Sequence, residues 1–502
     1  MAAKFTKTQP TLTRAVSREI DFSHDDLLRA LLRLERSRKL SLLDSCGAAG
    51  TVERGSEARF LVAGFDPFEF IEARGSRVEI ARVGEKTETL HARDPLAVLD
   101  EQLRRYATPQ PSPAPFGGAC IATFSYDLAR RYERLPPKIA AQRNDEPDAT
   151  FAFYDALVVH DYLLARTEIV SVRGAERLDE TEAALIESRR GNEESKSKEQ
   201  PAFNSFAHGA KEQPRVERGR AVSNFTRVDY IAAIQEIKEH IFAGDIYQAN
   251  LTQQFTCELA DDDTVEKLFM RLRRDNPAPF AAFVRRSDDT VVSASPERFL
   301  KVEVENDMRL IEAWPIKGTR PRGMSASDDE RLRRELQESE KDRAENVMIV
   351  DLLRNDLGRI CRFGSVEVIG LCELQTNPTV FHLVSKVRGR LRESVTASEI
   401  LRATFPCGSI TGAPKIRAME IIDEIETAPR NLSMGAIGRF SFDGSLDLNV
   451  AIRTMVVGTD GRIRFNTGGG IVAESVPEVE YEESLVKASA LLRALNVEFI
   501  SG

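Results

Sequence analysis

The sequence is poor in the residues that most often advertise a metal or redox site: one tryptophan, six histidines and six cysteines in 502 residues. The cysteines (Cys46, Cys120, Cys257, Cys361, Cys372 and Cys407) are scattered and form no Cys-x-x-Cys pair. That excludes a disulfide framework and a cysteine zinc site, and predicts free thiols in a reducing compartment, with the cytoplasm as the expected location. No HExxH motif or metal-spaced histidine pair occurs, so zinc chemistry is not expected. No apolar run reaches roughly 18 residues, so no membrane-spanning helix is expected. Basic residues form no block and the formal net charge is -9, which sets aside nucleic acid and anionic membranes as partners. The N-terminal stretch "MAAKFTKTQPTLTRAVSREIDF" lacks the apolar centre of a secretory signal and reads as a frayed terminus.

What is present is a soluble, globular composition, 42% hydrophobic and 30% charged. The length exceeds one ordinary core, so two domains or one large composite sheet fold is expected. Residues 1–188 are a mixed region with strand-like runs such as "RFLVAGF" and "ATFAFYDALVVHDYLLA". Residues 189–224 are polar and read as a linker or long loop, leaving 225–502 as the catalytic region. There "RVDYIAAIQEIKEHIFAGD" has apolar residues at helical spacing with Gly244 as its stop. "TVVSASPERFLKVEVE" reads as a strand pair, and "SASDDERLRRELQESEKDRAENVMIVDLLRNDLGRI" as one long helical tract. Asp443-Gly444 and Asp460-Gly461, set between alternating runs, predict antiparallel hairpins. The fold class expected is α+β, antiparallel sheets with helices outside.

Chemistry concentrates at a few positions. Lys317 sits in "PIKGT", framed by Pro315 and Gly318. A solvated lysine, an anion holder and a nucleophile all fit that frame; an amine attacks only when neutral, which burial or nearby cations favour. Gly318 permits close approach of a ligand, and Glu297 in the same unit is a general-acid candidate if burial keeps it protonated. Asp342 with Glu345, and Glu480 with Glu483, are carboxylate pairs three residues apart on helices, with Lys487 one turn beyond. Such pairs usually solvate a helix face, but oxygen-only ligands beside apolar runs also suit magnesium. Arg453 in an apolar alternating strand needs an anion, either a ligand carboxylate or a nearby Asp or Glu. His382 lies in an apolar stretch and reads equally as a core residue or a catalyst. "NTGGGIVAES" and "CGSITGAPK" are glycine-rich turns suited to an anion, without a P-loop or dinucleotide pattern.

The segments "IYQANLTQQF", "SASPERF", "PIKGTRPRG", "AENVMIVDLLRNDLGRI", "FHLVSKVRG", "FPCGSITGAPKIRAMEIIDEIE", "NVAIRT" and "NTGGGIVAESVPEVEYEESLVKA" together resemble the chorismate-utilising enzymes. The likeness is dense from about Arg227 to Leu495 and implies that family's antiparallel sandwich. It implies Glu345 and Glu483 as ligands of Mg2+, with Asp342 and Glu480 close by. It implies Glu297 as the acid that protonates a departing hydroxyl, Lys317 as the nucleophile and His382 as an active-site histidine. Arg453, Gly468, Gly469 and Lys487 resemble substrate-carboxylate contacts; Gly318, Thr319, Thr411 and Gly412 resemble positions lining the site. Gln248 stands where water-using members carry a lysine and so resembles the ammonia-using branch. Within that branch, lysine at 317 resembles the members that form 4-amino-4-deoxychorismate, a precursor of p-aminobenzoate and folate; alanine there marks those that form anthranilate. The alternatives are an anthranilate-forming enzyme with a variant lysine, or a silent amino-acid-sensing subunit. No cysteine lies in a glutaminase elbow, so the resemblance implies a separate glutamine amidotransferase subunit supplying ammonia. "LLDS", ending at Ser45, and "NPAPF", with Pro279 and Phe280, resemble the family's aromatic-amino-acid pocket, which implies a site for tryptophan.

Overall fold

A computed structural model of the chain describes residue 12 and residues 14–47, 58–108, 116–136, 146–190, 219–305, 308–376 and 380–499. Of the N-terminal stretch discussed above, Met1–Thr11 and Thr13 lie outside the described residues.

Two large sheets form the frame, one of 13 and one of 12 strands among the described residues. The first includes, in hydrogen-bonded order, Ser41–Asp44, Phe280–Arg285, Asp289–Ser295, Thr454–Gly458, Arg462–Ile471 and Gln248–Glu258. The second includes Ile316–Pro321, Val380–Arg390, Met308–Ala313, Arg298–Glu305, Leu446–Val450, Ala436–Ser441, Ala119–Phe124 and Ala149–Tyr154. Strand alternation builds the layers. Phe151 and Phe153 pack outward under helices with Leu99 and Leu353, while Ala152 and Tyr154 pack inward against Val62 and Val159 of the other sheet. The outer face of the first sheet packs on a second helical layer, with Leu28 and Leu31 against Phe283 and Phe269. The result is α+β, a sandwich of antiparallel sheets with helices outside, as expected.

Strands from 1–188 and from 225–502 interleave in both sheets; Ala282–Leu43 and Gly438–Ala122 are register partners across that divide. Of the stretch 189–224, Arg189 and Arg190 end the Ala175–Arg190 helix and Arg220–Ser223 form a strand; 191–218 lie outside the described residues. The Arg227–Phe242 helix ends just before Gly244, and both Asp-Gly turns close antiparallel hairpins. Two local expectations are corrected. Asp289–Ser295 and Arg298–Glu305 are strands but do not pair, because the chain crosses from one sheet to the other at Pro296-Glu297. The long helical tract is two helices, Ala326–Glu338 and Glu340–Gly358. Ser339 is extended (ψ 106°) and its hydroxyl caps the second helix by accepting from Asp342 N–H.

Among the described residues no helix is long and apolar enough to cross a membrane. All six cysteines are free.

Candidate active site

The crossover between sheets creates the site. Glu297 occupies the turn from Ser295 to Arg298, its N–H donating to Ser295 Oγ (3.3 Å) and its carbonyl accepting from Val450 N–H (3.0 Å). The side chain is buried, and Oε1 has no hydrogen-bond partner of good geometry. Burial pushes the carboxyl up to about 7, against the opposing pull of the Ser409 hydroxyl, Lys317 and a backbone hydrogen bond from Ile316. A carboxyl at that value can carry a proton at neutral pH and give it away.

Lys317 reaches the same place from the Ile316–Pro321 strand. The register against Val380–Arg390 slips between Ile316 and Thr319, a bulge that turns Lys317 out of the plain pleat. Gly318 holds φ at +86°, and a methyl group there would come within 2.9 Å of Asp342 Cβ and Leu336 Cδ1, so both conformation and space demand glycine. Lys317 Nζ lies 3.4 Å from the Ser409 carbonyl, a long hydrogen bond. Beside it is Gln248, fully buried, with neither side-chain polar atom hydrogen-bonded. A methyl on Gly470 would meet Gln248 Nε2 at 2.4 Å and Lys317 Nζ at 3.4 Å. Buried amides are seldom left unpaired, which makes Gln248 a candidate ligand contact.

The acidic residues converge from two helices. Glu345 sits in the second turn of Glu340–Gly358, and Glu480 and Glu483 begin Pro477–Leu495. Glu480 Oε2, Lys487 Nζ and Glu483 Oε1 lie 3.4, 3.5 and 3.9 Å from where a side chain on Gly469 would start. Glu345 is pushed up by burial and by Asp342 and Glu480, although Lys317 and Lys341 draw it down. Glu483 is held down, chiefly by Lys487 at 2.8 Å, against its own desolvation. Among the described residues no three His, Cys, Asp or Glu side chains are gathered tightly enough to hold a metal alone. A pair of carboxylates from separate helices nonetheless fits magnesium, which takes one or two protein carboxylates and fills its shell with water and substrate oxygens.

Arg453 and His382 lie near one another. Arg453 has φ +48°, an unusual conformation for a side-chain-bearing residue, and burial lowers its guanidinium's pKa. The neighbouring-carboxylate alternative for Arg453 is not found among the described residues, with none of which it makes a side-chain ion pair. His382 Nδ1 bonds Thr319 Oγ1 at 2.9 Å, and burial with nearby Arg453 pushes the ring down to about 4, so it is neutral at physiological pH. Gly412 lies against the Gln248 carbonyl, where a methyl would sit at 2.1 Å, and Gly468 lies equally close to the Leu251 carbonyl. Lys487 donates to the Gly468 carbonyl at 3.0 Å. Thr411 is buried, with its hydroxyl engaged by the Cys407 carbonyl (3.0 Å), so that side chain holds the turn.

Ser409 and Lys341 belong to this cluster and were not singled out from sequence. Ser409 lies inside the glycine-rich "CGSITGAPK", and Lys341, near the start of the Glu340–Gly358 helix, lies 3.6 Å from Glu480. Ser45, Pro279 and Phe280 line a separate cavity of about 440 Å³ between the sheets, together with Arg59, Phe116 and Arg439. Neither Lys317, Glu297 nor Arg453 borders it.

A buried acid, an amine, a guanidinium with no ion pair among the described residues and carboxylates from two helices are the chemical groups of this candidate site. A family model described as chorismate binding enzyme matches residues 50–493, and the chain belongs to that family. It is 39% identical to aminodeoxychorismate synthase component 1 of Salmonella typhimurium over 87% of this chain and 90% of the relative. It is 33% identical to anthranilate synthase component 1 of Aquifex aeolicus, over 94% of this chain and 92% of that one. The crystal structure of anthranilate synthase component I from Streptococcus pneumoniae superposes with TM-score 0.72 at 29% identity, covering 94% of this chain and 99% of that one.

Proposed function

We propose that the protein converts chorismate and ammonia to 4-amino-4-deoxychorismate, the chemistry of an aminodeoxychorismate synthase component 1. The observation that carries this reading is Lys317 itself, an amine set between the unpaired Gln248 and the acid Glu297. In this reading the Lys317 lone pair bonds ring carbon 2 while the 4-hydroxyl leaves with the Glu297 proton as water. Ammonia then bonds carbon 4 and the carbon–lysine bond breaks, returning the amine. Each half replaces one difficult substitution by an easier one. Arg453 and Lys487 are suited to substrate carboxylates, and the neutral His382 with Thr319 to the wall of the pocket. Gln248 offers ammonia an amide where a lysine would favour water.

Glu345 and Glu483 are the residues that would hold Mg2+, which when bound supplies positive charge for the ring carboxylate of a dianionic substrate. Glu483→Gln should therefore weaken the magnesium requirement's apparent affinity by an order of magnitude or more, about 1.4 kcal/mol. A magnesium titration identical to wild type would assign the metal to other carboxylates.

Ammonia would come from a separate glutamine amidotransferase subunit in the cytoplasm. The isolated chain should turn over chorismate with ammonium but not with glutamine; turnover on glutamine alone would remove the second subunit from the account. The cavity at Ser45, Pro279 and Phe280 is the proposed site for tryptophan. Calorimetry with millimolar tryptophan should register binding, and an absence of heat retires that assignment.

A second reading, anthranilate synthase component I, is favoured by the likeness to proteins of that name over nearly the whole chain. The two differ in pyruvate. Chorismate consumption with magnesium and ammonium should release none, and stoichiometric pyruvate would favour the second reading.

A further inference from the structure

Two neighbouring amides on one strand are buried with polar atoms left unbonded. Gln248 and Asn250 stand two residues apart on Gln248–Glu258, so their side chains leave the same face of the sheet. Gln248 is fully buried and bonds with neither end of its amide; Asn250 is 8% exposed, and its Oδ1 has no partner among the described residues. The Asn250 main chain, by contrast, is fully engaged. Its N–H donates to the Thr411 carbonyl at 2.8 Å, and its carbonyl accepts from Arg430 Nη2 at 2.5 Å. Arg430 is itself paired with Glu426 at 2.7 Å. A buried acceptor left unpaired on so fixed a residue is unusual.

Strand pairing decides where that acceptor lies. Asn250 stands directly opposite Gly470. Because the Asn250 N–H and C=O point to Thr411 and Arg430, its pair with Gly470 is the non-hydrogen-bonded kind, in which Cα atoms approach to about 4.5 Å and side chains come closest. Gly470 brings no side chain, and the place where its Cβ would stand is 2.4 Å from Gln248 Nε2 and 3.4 Å from Lys317 Nζ. The two amides and the amine are thus gathered around one bare glycine.

We propose that Asn250, together with Gln248, binds the ammonia that the reaction consumes. Ammonia has three N–H donors and one lone pair. Bonded to the amide oxygens of Asn250 and Gln248, it keeps that lone pair unshared for the ring attached to Lys317. The pair then forms the bond to carbon 4, the ring double bonds shift, and the electrons of the carbon–Nζ bond return to Lys317. The product carries the three ammonia hydrogens away as an ammonium.

This inference rests on the proposed use of ammonia, which the aminodeoxychorismate and anthranilate readings share. Chorismate consumption by the full-length chain is followed at one alkaline pH with saturating magnesium, varying ammonium and chorismate in turn, for wild type, Asn250→Val and Asn250→Asp. Valine suits a strand and removes the amide, whereas aspartate keeps an acceptor oxygen. Asn250→Val should raise the ammonia KM roughly threefold to tenfold, the worth of one hydrogen bond, and leave the chorismate KM within about twofold. Asn250→Asp should bring the ammonia KM back towards wild type. Asn250→Ala supplies the same truncation should valine disturb folding. An ammonia KM unchanged in the truncated variants overturns the proposal and leaves the amide to an ordered water. A parallel rise in both KM values overturns it too, since that marks a support of the whole site. Wild-type turnover that needs no ammonium would instead remove the ammonia reading, and this inference with it. Pyruvate release would change only the product assigned.

Discussion

Lys317→Ala should lose amination of chorismate by roughly three orders of magnitude or more, about 4 kcal/mol of transition-state stabilisation. The size follows from removing the bond-forming atom rather than a contact to it. Two roles for the side chain must be separated, because its charge also acts on Glu297, Glu345 and Glu483. Lys317→Arg keeps the charge but supplies no usable nucleophile. Both variants should be equally inactive, with residual turnover drifting towards anthranilate and pyruvate. Recovery of amination in Lys317→Arg would make the residue an electrostatic holder and end its assignment as nucleophile.

The second large effect is expected at Glu297. Glu297→Gln should reduce kcat by roughly a hundredfold to ten-thousandfold, the usual worth of a positioned acid. In the wild-type enzyme, activity corrected for free ammonia should fall as pH rises through about 7, where the acid form is lost. The stability consequence has a definite sign. The folded carboxyl is raised from an ordinary 4.5 to about 7, so its contribution is fully present below about 4.5 and is lost as pH rises through 7. Glutamine cannot ionise. The variant should therefore melt at the same temperature as wild type or higher at pH 8, while being far less active. A variant that is both inactive and markedly less stable at that pH would point to a packing role for Glu297.

Much of this architecture is written in short-range signals. The Asp443-Gly444 and Asp460-Gly461 hairpins and the Arg227–Phe242 helix follow from local turn chemistry and periodicity, which do not need the rest of the chain. The sheet crossover at Pro296-Glu297 does not follow from them. Both flanking segments are good strands, and only the tertiary frame decides that they join different sheets; that crossover is what buries Glu297. The break at Ser339 was hidden for a related reason, since a serine at a helix start and one on a helix face look alike in sequence. Motif resemblance named Lys317, Glu345, Glu483, His382 and Arg453; Lys317 lies near enough to act on Glu345 and Glu483, and His382 is near Arg453 and the Gly318 backbone. Ser409 escaped because its contact with Lys317 is made by the main-chain carbonyl, and main-chain carbonyls leave no mark in a sequence.

The most direct test of the account is to identify the product. The purified chain is incubated with chorismate, magnesium and ammonium at alkaline pH, and the products are separated by chromatography with and without added aminodeoxychorismate lyase. The account predicts an aminated product that retains its pyruvyl group, and p-aminobenzoate only where the lyase is present. Anthranilate and pyruvate formed without the lyase would contradict it, placing this chain among the anthranilate-forming members and leaving Lys317 without the role argued for it.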